Sequence, residues 1–156
     1  KNILGHIGAE HAWDEYMLER KLIISEKTET GIYCRIVETA PENKTEANDT
    51  ITSGNIVWHA IGCRLNQNIP PSFTSPEVTC FLAPQGESVY LYSLQVLPEL
   101  RNRHLGTAFL SALLPRLAKK GFKSIKLQVS SENLPAMALY KKTGFYITQT
   151  LSFYEY

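Results

Sequence analysis

The segment from Val96 to Ala108 carries the residues best suited to binding an anion. Its order of residue types predicts a strand that ends near Val96, an arginine-rich turn, and a helix that begins with small residues. The first N–H groups of a helix have no partner within it and lie at the positive end of its dipole. With Arg101 and Arg103 beside them, such groups can hold a phosphate or a pyrophosphate. A surface turn with solvated arginines would give the same pattern, so this segment alone leaves both interpretations open.

A second segment, residues 129–145, supplies a motif that belongs with the first. The first motif is V-x-P-x-x-R-x-x-x-x-G, from Val96 to Gly106, and the second is N-x-x-A-x-x-L-Y-x-x-x-G-F, from Asn133 to Phe145. Because both occur in order and at that family's spacing, residues 89–147 resemble the GCN5-related N-acetyltransferase (GNAT) family. Before residue 55 only the order of helix and strand agrees.

The resemblance implies a fold and a reaction. The fold would be α/β, a GNAT-like mixed and mainly antiparallel central sheet flanked by helices. The reaction would be direct transfer of an acetyl group from acetyl-CoA, the co-substrate, to a primary amine, without a covalent enzyme intermediate. A thioester is already activated, so the protein would chiefly supply positioning, an oxyanion donor and proton management.

Carried over position by position, the resemblance also implies site residues. The backbone of residues 101–107 would cradle the pyrophosphate, and the strand at residues 94–96 would pair with the pantetheine arm and polarise the thioester carbonyl. Asn133 would hold the pantetheine or the start of a helix. Tyr140 would protonate the leaving thiolate, although a core tyrosine is the alternative. The implied cofactor-binding residues are Leu94, Gln95, Val96, Arg101, Asn102, Arg103, His104, Leu105, Gly106, Thr107, Asn133, Ala136 and Tyr140.

The general base is not settled by the sequence. The histone-acetyltransferase branch has a glutamate where this chain has Tyr90, and some peptide N-terminal acetyltransferases use a tyrosine there. Gln128 stands where several of the latter place a glutamate or histidine, and an amide cannot take up a proton. Tyr90, acting through a water, is therefore the first choice, with Tyr92 and Glu87 as alternatives. Tyr90 and Tyr92 should project to the same strand face, where Tyr92 could equally pack against a helix.

His104 departs from the family's pattern. It stands where the family usually has the first glycine of its phosphate loop. A Cβ atom there narrows the space against the phosphates, while Gly106 and the backbone donors remain. We interpret His104 as a tolerated substitution or an added phosphate contact rather than as a catalyst.

Hydrophobic periodicity predicts the elements that position these residues. Pro115 should kink or restart the helix that contains it. The prolines at 70, 71, 76 and 84 predict a loop over residues 66–87, where we expect substrate contacts, and residues 40–54 form a second, polar loop. Helices are predicted at residues 9–22, 105–120 and 135–143, with Gly121 and Gly144 ending the last two, and strands at 31–39, 55–65, 89–96, 124–129, 145–148 and 151–154.

Composition and charge exclude several other classes of protein. The 156 residues suit one domain over 1–156, and 16 basic against 15 acidic side chains leave no basic face for nucleic acid. Three distant cysteines (Cys34, Cys63 and Cys80) and four histidines without ligand spacing give no metal site. No apolar run approaches the roughly 18–20 residues of a membrane span, and no targeting signal is visible, so we expect a cytoplasmic protein.

The acceptor amine and the oligomeric state are not fixed by the sequence. Tyr90 favours a peptide or protein amine, an arylalkylamine or polyamine is the alternative, and the missing carboxylate base keeps a catalytically weak acyl-CoA-binding module as a competing class. A neutral tyrosine is a poor proton acceptor. We therefore expect α-amines, which are partly neutral at pH 7, to be better acceptors than lysine side chains.

Overall fold

The structure, a computed structural model, describes residues 10–24, 31–38, 56–65 and 76–155. The chain divides into two compact units, Lys21–Ile125 and the pair of segments Lys1–Arg20 and Lys126–Tyr156. The described residues hold seven strands, two α-helices and a short 3-10 helix at Pro98–Leu100. In chain order the strands and α-helices are β1 (Glu10–Lys21), β2 (Ile32–Glu38), β3 (Trp58–Arg64), β4 (Val78–Gln85), β5 (Ser88–Val96), α1 (Leu105–Lys119), β6 (Ser124–Ser130), α2 (Leu134–Lys142) and β7 (Tyr146–Glu155).

The unit Lys21–Ile125 is built on an antiparallel meander. Strands β2, β3, β4 and β5 pair in chain order, each antiparallel to the one before it. Alternate side chains of this meander, among them Leu82 and Leu91, are almost completely buried. Phe109 of α1 is also fully buried, and it lies so close to β3 that a Cβ atom at Gly62 would come within 2.5 Å of its ring. The glycine therefore sets how closely the helix approaches the sheet.

Helix α1 ends as its sequence predicts. Gly121 adopts φ +100°, the left-handed conformation that glycine tolerates best. Its N–H donates to the carbonyl of Ala118, and the N–H of Phe122 donates to that of Leu117, which together form a Schellman motif. The helix runs through Pro115 without a break, so the expected restart there is wrong.

The second unit places β1 between β6 and β7, and β1 pairs antiparallel with β7. The helix predicted at residues 9–22 is therefore wrong. Two register shifts, at His11/Trp13 and Met17/Leu18, interrupt the alternation of β1. The apolar residues of this strand consequently do not recur every second position, and their spacing imitates a helix.

Two further predictions need correction. One continuous strand, β7, runs over residues 146–155, where the sequence predicts two strands at 145–148 and 151–154. The loop predicted over residues 66–87 contains β4, although residues 66–75 lie outside the described residues, as does the polar loop at 40–54. Pro84 is tolerated because the pairing of β4 with β3 ends at Leu82, so the proline stands where β4 pairs with β5 alone. The strands predicted at 31–39, 55–65, 89–96 and 124–129 are confirmed as β2, β3, β5 and β6.

Candidate cofactor and catalytic site

The loop between β5 and α1 has the backbone geometry of an anion site. Asn102 and His104 adopt φ of +64° and +59°. Residues of alternating handedness turn consecutive N–H groups towards one side, which forms a concave set of donors. His104 is the N-cap of α1 and makes no side-chain capping bond, and the first turn of α1 contains no acidic residue. The donors at the helix start are thus available to an anion.

Arginine side chains flank this loop. Arg101 donates from Nε to the carbonyl of Val96 at 3.3 Å, which ties the loop to the end of β5. Arg103 is exposed. The side chains thus add positive charge, while the backbone supplies the directed donors.

The left-handed backbone at His104 is a conformation that glycine adopts more readily than histidine. A non-glycine residue in this conformation costs about 1–2 kcal/mol. The sequence indicated the substitution, but only the fold shows that His104 holds this φ.

A bulge lies in β5 where the pantetheine arm is expected. Thr79 of β4 lies opposite Gln95, whereas Phe81 lies opposite Tyr92, so β5 holds one residue more than β4 between these pairs. Ser93 adopts φ +54° at this point. A bulge leaves a strand's backbone groups incompletely paired with its neighbour. Leu94 therefore lies within an irregular stretch that sequence patterns did not reveal, and Gln95 and Val96 follow it.

Four aromatic rings form a row across β3, β4 and β5. Tyr90 and Tyr92 stack with centroids 6.2 Å apart, which confirms that they share a face. Tyr92 stacks on Phe81 at 5.4 Å, and Phe81 stacks on His59 at 4.9 Å. Tyr92 therefore packs against Phe81, which lies directly opposite it on β4. Glu87 lies in the turn before β5, 73% exposed, with its carboxylate 3.1 Å from Lys123 Nζ.

In the other unit, α2 gives structural roles to the second motif. Asn133 caps the helix, since its Oδ1 accepts the N–H of Ala136 at 3.2 Å. Of the two roles expected for Asn133, the helix start is confirmed. Tyr140 is buried, with its ring edge-on to Phe145 at 5.4 Å. Gly144 follows the end of α2 at φ +93°, and a Cβ atom there would lie 2.9 Å from Arg20 Nε.

Strand β1 carries two neighbouring carboxylates, Asp14 and Glu15, that the sequence analysis did not single out because it predicted a helix there. Asp14 accepts hydrogen bonds from Ser152 Oγ and His11 Nε2, each at 2.7 Å, and these bonds lower its pKa. Glu15 accepts a bond from Gln128 Nε2 at 3.5 Å. Residues 14 and 15 point to opposite faces of the strand, so the two carboxylates have separate environments.

The three cysteines, Cys34, Cys63 and Cys80, are buried in this fold. Burial raises the pKa of the Cys34 thiol to about 12, so little of this thiol is in the reactive thiolate form near neutral pH. Within the described ranges, no group of three or more His, Cys, Asp or Glu side chains could hold a metal ion. None of the described helices is both long enough and apolar enough to cross a membrane.

Residues 61–145 match the sequence profile of the acetyltransferase (GNAT) family. The chain belongs to this family. The matched range covers more than half of the chain and contains the β5–α1 loop, the bulge and the whole second motif. The suspected resemblance is thus confirmed.

Curated relatives of this GNAT chain are similar over shorter stretches. The mycothiol acetyltransferase of Clavibacter michiganensis is 38% identical over 65 residues, 42% of this chain and 21% of the relative. The [ribosomal protein bS18]-alanine N-acetyltransferase of Escherichia coli is 36% identical over 55 residues, 35% of this chain and 37% of the relative. The matched stretch thus spans about a fifth of the length of the Clavibacter protein and somewhat over a third of that of the E. coli protein.

Solved structures resemble the GNAT chain along most of its length. A GCN5-related N-acetyltransferase from Sphaerobacter thermophilus matches 97% of this chain and 54% of its own, with a TM-score of 0.61 at 14% identity. A tandem GNAT protein from the clavulanic acid biosynthesis pathway matches 96% of this chain and 55% of its own, with a TM-score of 0.61 at 12% identity. The expected α/β fold is confirmed.

Proposed function

We propose that this protein is an acetyl-CoA-dependent N-acetyltransferase that acts on a primary amine, most readily on the α-amine of a peptide or protein. The observation that carries the proposal is the β5–α1 loop. Asn102 and His104 adopt left-handed conformations there and lead into a helix start with neither a side-chain cap nor an acidic residue. The proposal includes a single acetyltransferase domain over residues 1–156 and residence in the cytoplasm.

The residues present fit acetyl-CoA. The backbone of residues 101–107 would hold the pyrophosphate, helped by Arg101 and Arg103, and residues 94–96 would pair with the pantetheine arm. Asn133 Oδ1 and the Ala136 N–H are already bonded to each other, so a cofactor contact there would use other atoms of these residues. When bound, acetyl-CoA supplies an acetyl group that is already activated as a thioester.

Two tyrosines are proposed to manage protons and water. Tyr140 would donate its hydroxyl proton to the leaving sulfur, and its tight packing against Phe145 would fix the ring. Tyr90 would orient a water near the acceptor, held in place by its stacking on Tyr92. Replacing Tyr90 by phenylalanine keeps the stack, and we expect it to lower turnover only about tenfold.

The acceptor is proposed from the chemistry of amines. An α-amine has a pKa near 7.7–8.0 and is neutral in roughly a tenth of molecules at pH 7, whereas a lysine amine, with a pKa of about 10.4, is almost entirely protonated. The similar E. coli protein is named for an alanine of a ribosomal protein, which supports a protein acceptor. The similar Clavibacter protein is named for mycothiol, which supports a small-molecule acceptor as the second candidate.

A thiol-release assay tests the function. Acetyl-CoA is offered with a peptide whose α-amine is free, the same peptide with only its lysine free, an arylalkylamine and a polyamine. We expect turnover with the α-amine peptide to exceed that with the lysine peptide at pH 7. Saturable acetyl-CoA binding without turnover on any amine would instead indicate an acyl-CoA-binding module.

Calorimetry tests the phosphate loop separately. Acetyl-CoA should bind much more tightly than acetyl-pantetheine, which lacks the pyrophosphate, and it should raise the melting temperature by mass action. Arg103→Ala should weaken binding only modestly, because the backbone donors remain. Equal affinity for the two ligands would contradict the assignment of the loop.

A further inference from the structure

Strand β7 lies at an edge of the sheet. It comes last in the order of strands, and within the described part of the chain it pairs with β1 alone. Every residue from Tyr146 to Phe153 is exposed. An edge strand presents a row of backbone N–H and C=O groups that can pair with a further strand. The outer side of β7 is therefore accessible to such a strand.

The residue types of β7 do not protect this edge. Natural edge strands are commonly blocked by charged side chains, above all lysine, or by proline. Residues 146–154 contain no charged residue, no proline and no glycine. Four of their large apolar side chains stay well exposed: Tyr146 at 46%, Ile147 at 43%, Leu151 at 39% and Phe153 at 41%. An uncharged and partly apolar edge favours association with another strand.

The stretch from Gln149 to Phe153 is the regular part of β7. Its residues pair one to one with β1, and the two register shifts of β1 lie on either side of it. Leu151 and Phe153 share one face of the strand because side chains alternate. The ring of Phe153 stacks on Trp13 with centroids 5.2 Å apart and planes 11° apart, which extends the apolar surface beside Leu151. A strand that pairs with this stretch would meet ordinary strand geometry centred on Leu151.

This stretch is complementary to itself. In an antiparallel pair with a two-fold axis at Leu151, Leu151 of the two copies would lie opposite each other. Thr150 would then lie opposite Ser152, and Gln149 opposite Phe153. Directly opposed side chains have Cβ atoms about 4.5–5.5 Å apart, and like charges in such positions are destabilising. Here an apolar residue meets its own copy, one hydroxyl meets another, and no charges face each other.

From this edge we infer that β7 pairs antiparallel with β7 of a second copy of this chain, around a two-fold axis at Leu151. A partner that is recognised by its charge would find none to pair with between residues 146 and 154. The two-fold pairing uses the β7 edge of both copies, so the assembly closes as a dimer. The inference does not depend on the proposed acetyl transfer.

Sedimentation at increasing protein concentration tests the dimer. Since one strand edge makes a small interface, we expect the mass to rise from one copy to two over roughly 1–100 µM, and the melting temperature to rise with it. Leu151→Lys brings two ammonium groups together at the axis and should weaken the dimer at least about tenfold. Glu15 lies opposite residue 151 on β1 of the same copy and can pair with the new lysine, which favours a folded variant.

A matched variant controls for the added charge. Leu134→Lys makes the same exchange on α2, at a leucine that is 71% exposed and lies away from β7 in the sequence. It should dimerise like the wild type. Weakening by Leu134→Lys equal to that by Leu151→Lys would contradict an interface at β7.

Cross-linking tests the register directly. Leu151→Cys places two thiols opposite each other, so a short thiol-specific cross-linker should convert the protein to a covalent dimer. Leu134→Cys should remain uncrosslinked under the same conditions. Cys34, Cys63 and Cys80 are buried, so the wild type should also remain uncrosslinked.

Three outcomes would overturn the inference. The first is a wild type that stays monomeric, with a melting temperature independent of concentration. The second is a mass that grows beyond two copies, because the two-fold pairing is closed. The third is a dimer in which Leu151→Cys does not cross-link, since the two copies would then meet elsewhere. None of these outcomes bears on the proposed acetyl transfer.

Discussion

Replacing His104 by glycine should stabilise the protein, because the backbone at this position is left-handed. His104 adopts φ +59° as the N-cap of α1 and makes no side-chain capping bond there. A side chain with a Cβ atom is strained in this conformation by about 1–2 kcal/mol. Glycine removes this strain.

The gain is reduced by the unfolded state. Glycine makes the unfolded chain more flexible, which lowers stability by about 0.4–1 kcal/mol. The net effect of His104→Gly should be a gain of about 0.8 kcal/mol in the free energy of unfolding. For a domain of this size that corresponds to a rise of about 2–3 °C in the melting temperature.

The assay is thermal or urea unfolding of a matched series in the same loop. Asn102→Gly replaces a residue that tolerates φ +64° better, so its gain should be smaller. Arg103→Gly has no left-handed strain to relieve and should lower stability. A loss of stability in His104→Gly comparable to that in Arg103→Gly would refute the reasoning.

The same variant decides the role of the imidazole. If His104 is a tolerated substitution, acetyl-CoA affinity in His104→Gly should equal or exceed that of the wild type. If the imidazole is an added phosphate contact, the affinity should fall while stability still rises. Calorimetry with acetyl-CoA measures this difference.

Three further predictions concern other parts of the molecule. Tyr140→Phe should lower turnover about 10²-fold without changing acetyl-CoA affinity, and full turnover with chemistry rate-limiting would exclude Tyr140 as the acid. Gly62→Ala places a Cβ atom 2.5 Å from the Phe109 ring and should lower the free energy of unfolding by about 1–3 kcal/mol. Adding Phe109→Leu to the same chain should partly restore the lost stability, because leucine lacks the ring that the Cβ atom meets. Asp14→Asn should be less stable than the wild type near neutral pH, because hydrogen bonds from His11 and Ser152 stabilise the ionised Asp14 and lower its pKa from the usual 3.8. The stabilisation of the wild type by this carboxylate is complete well above pH 3.8 and is lost as the pH falls through the lowered pKa. The difference in stability between the two proteins should therefore be constant from pH 6 down to about 3.8 and shrink as the pH falls further. A difference that stays constant below pH 3.8 would show that the ionisation of the carboxylate contributes nothing.

The sequence by itself determined the elements whose signals are local. The apolar face of α1, its Schellman end at Gly121 and the capping of α2 by Asn133 all depend on residues within a few positions of one another. The two motifs, and with them the family, could likewise be identified from spacing along the chain. Such features can be predicted from a single sequence because helix geometry and glycine conformation depend on residues close together along the chain.

Only the tertiary structure decided the features that depend on pairing between distant residues. Residues 10–21 form a strand because β6 and β7 flank them, and the two register shifts that accommodate this pairing erase the alternation of side chains. The bulge at Ser93 arises from the register of β5 against β4. No residue type near Ser93 indicates an extra residue in the strand, so the bulge could not be predicted from the sequence. The contact of Glu15 with Gln128, which is 113 positions away along the chain, likewise exists only in the folded chain. A strand's partners are set by non-local hydrogen bonds and packing, so its local sequence carries too little information to specify them.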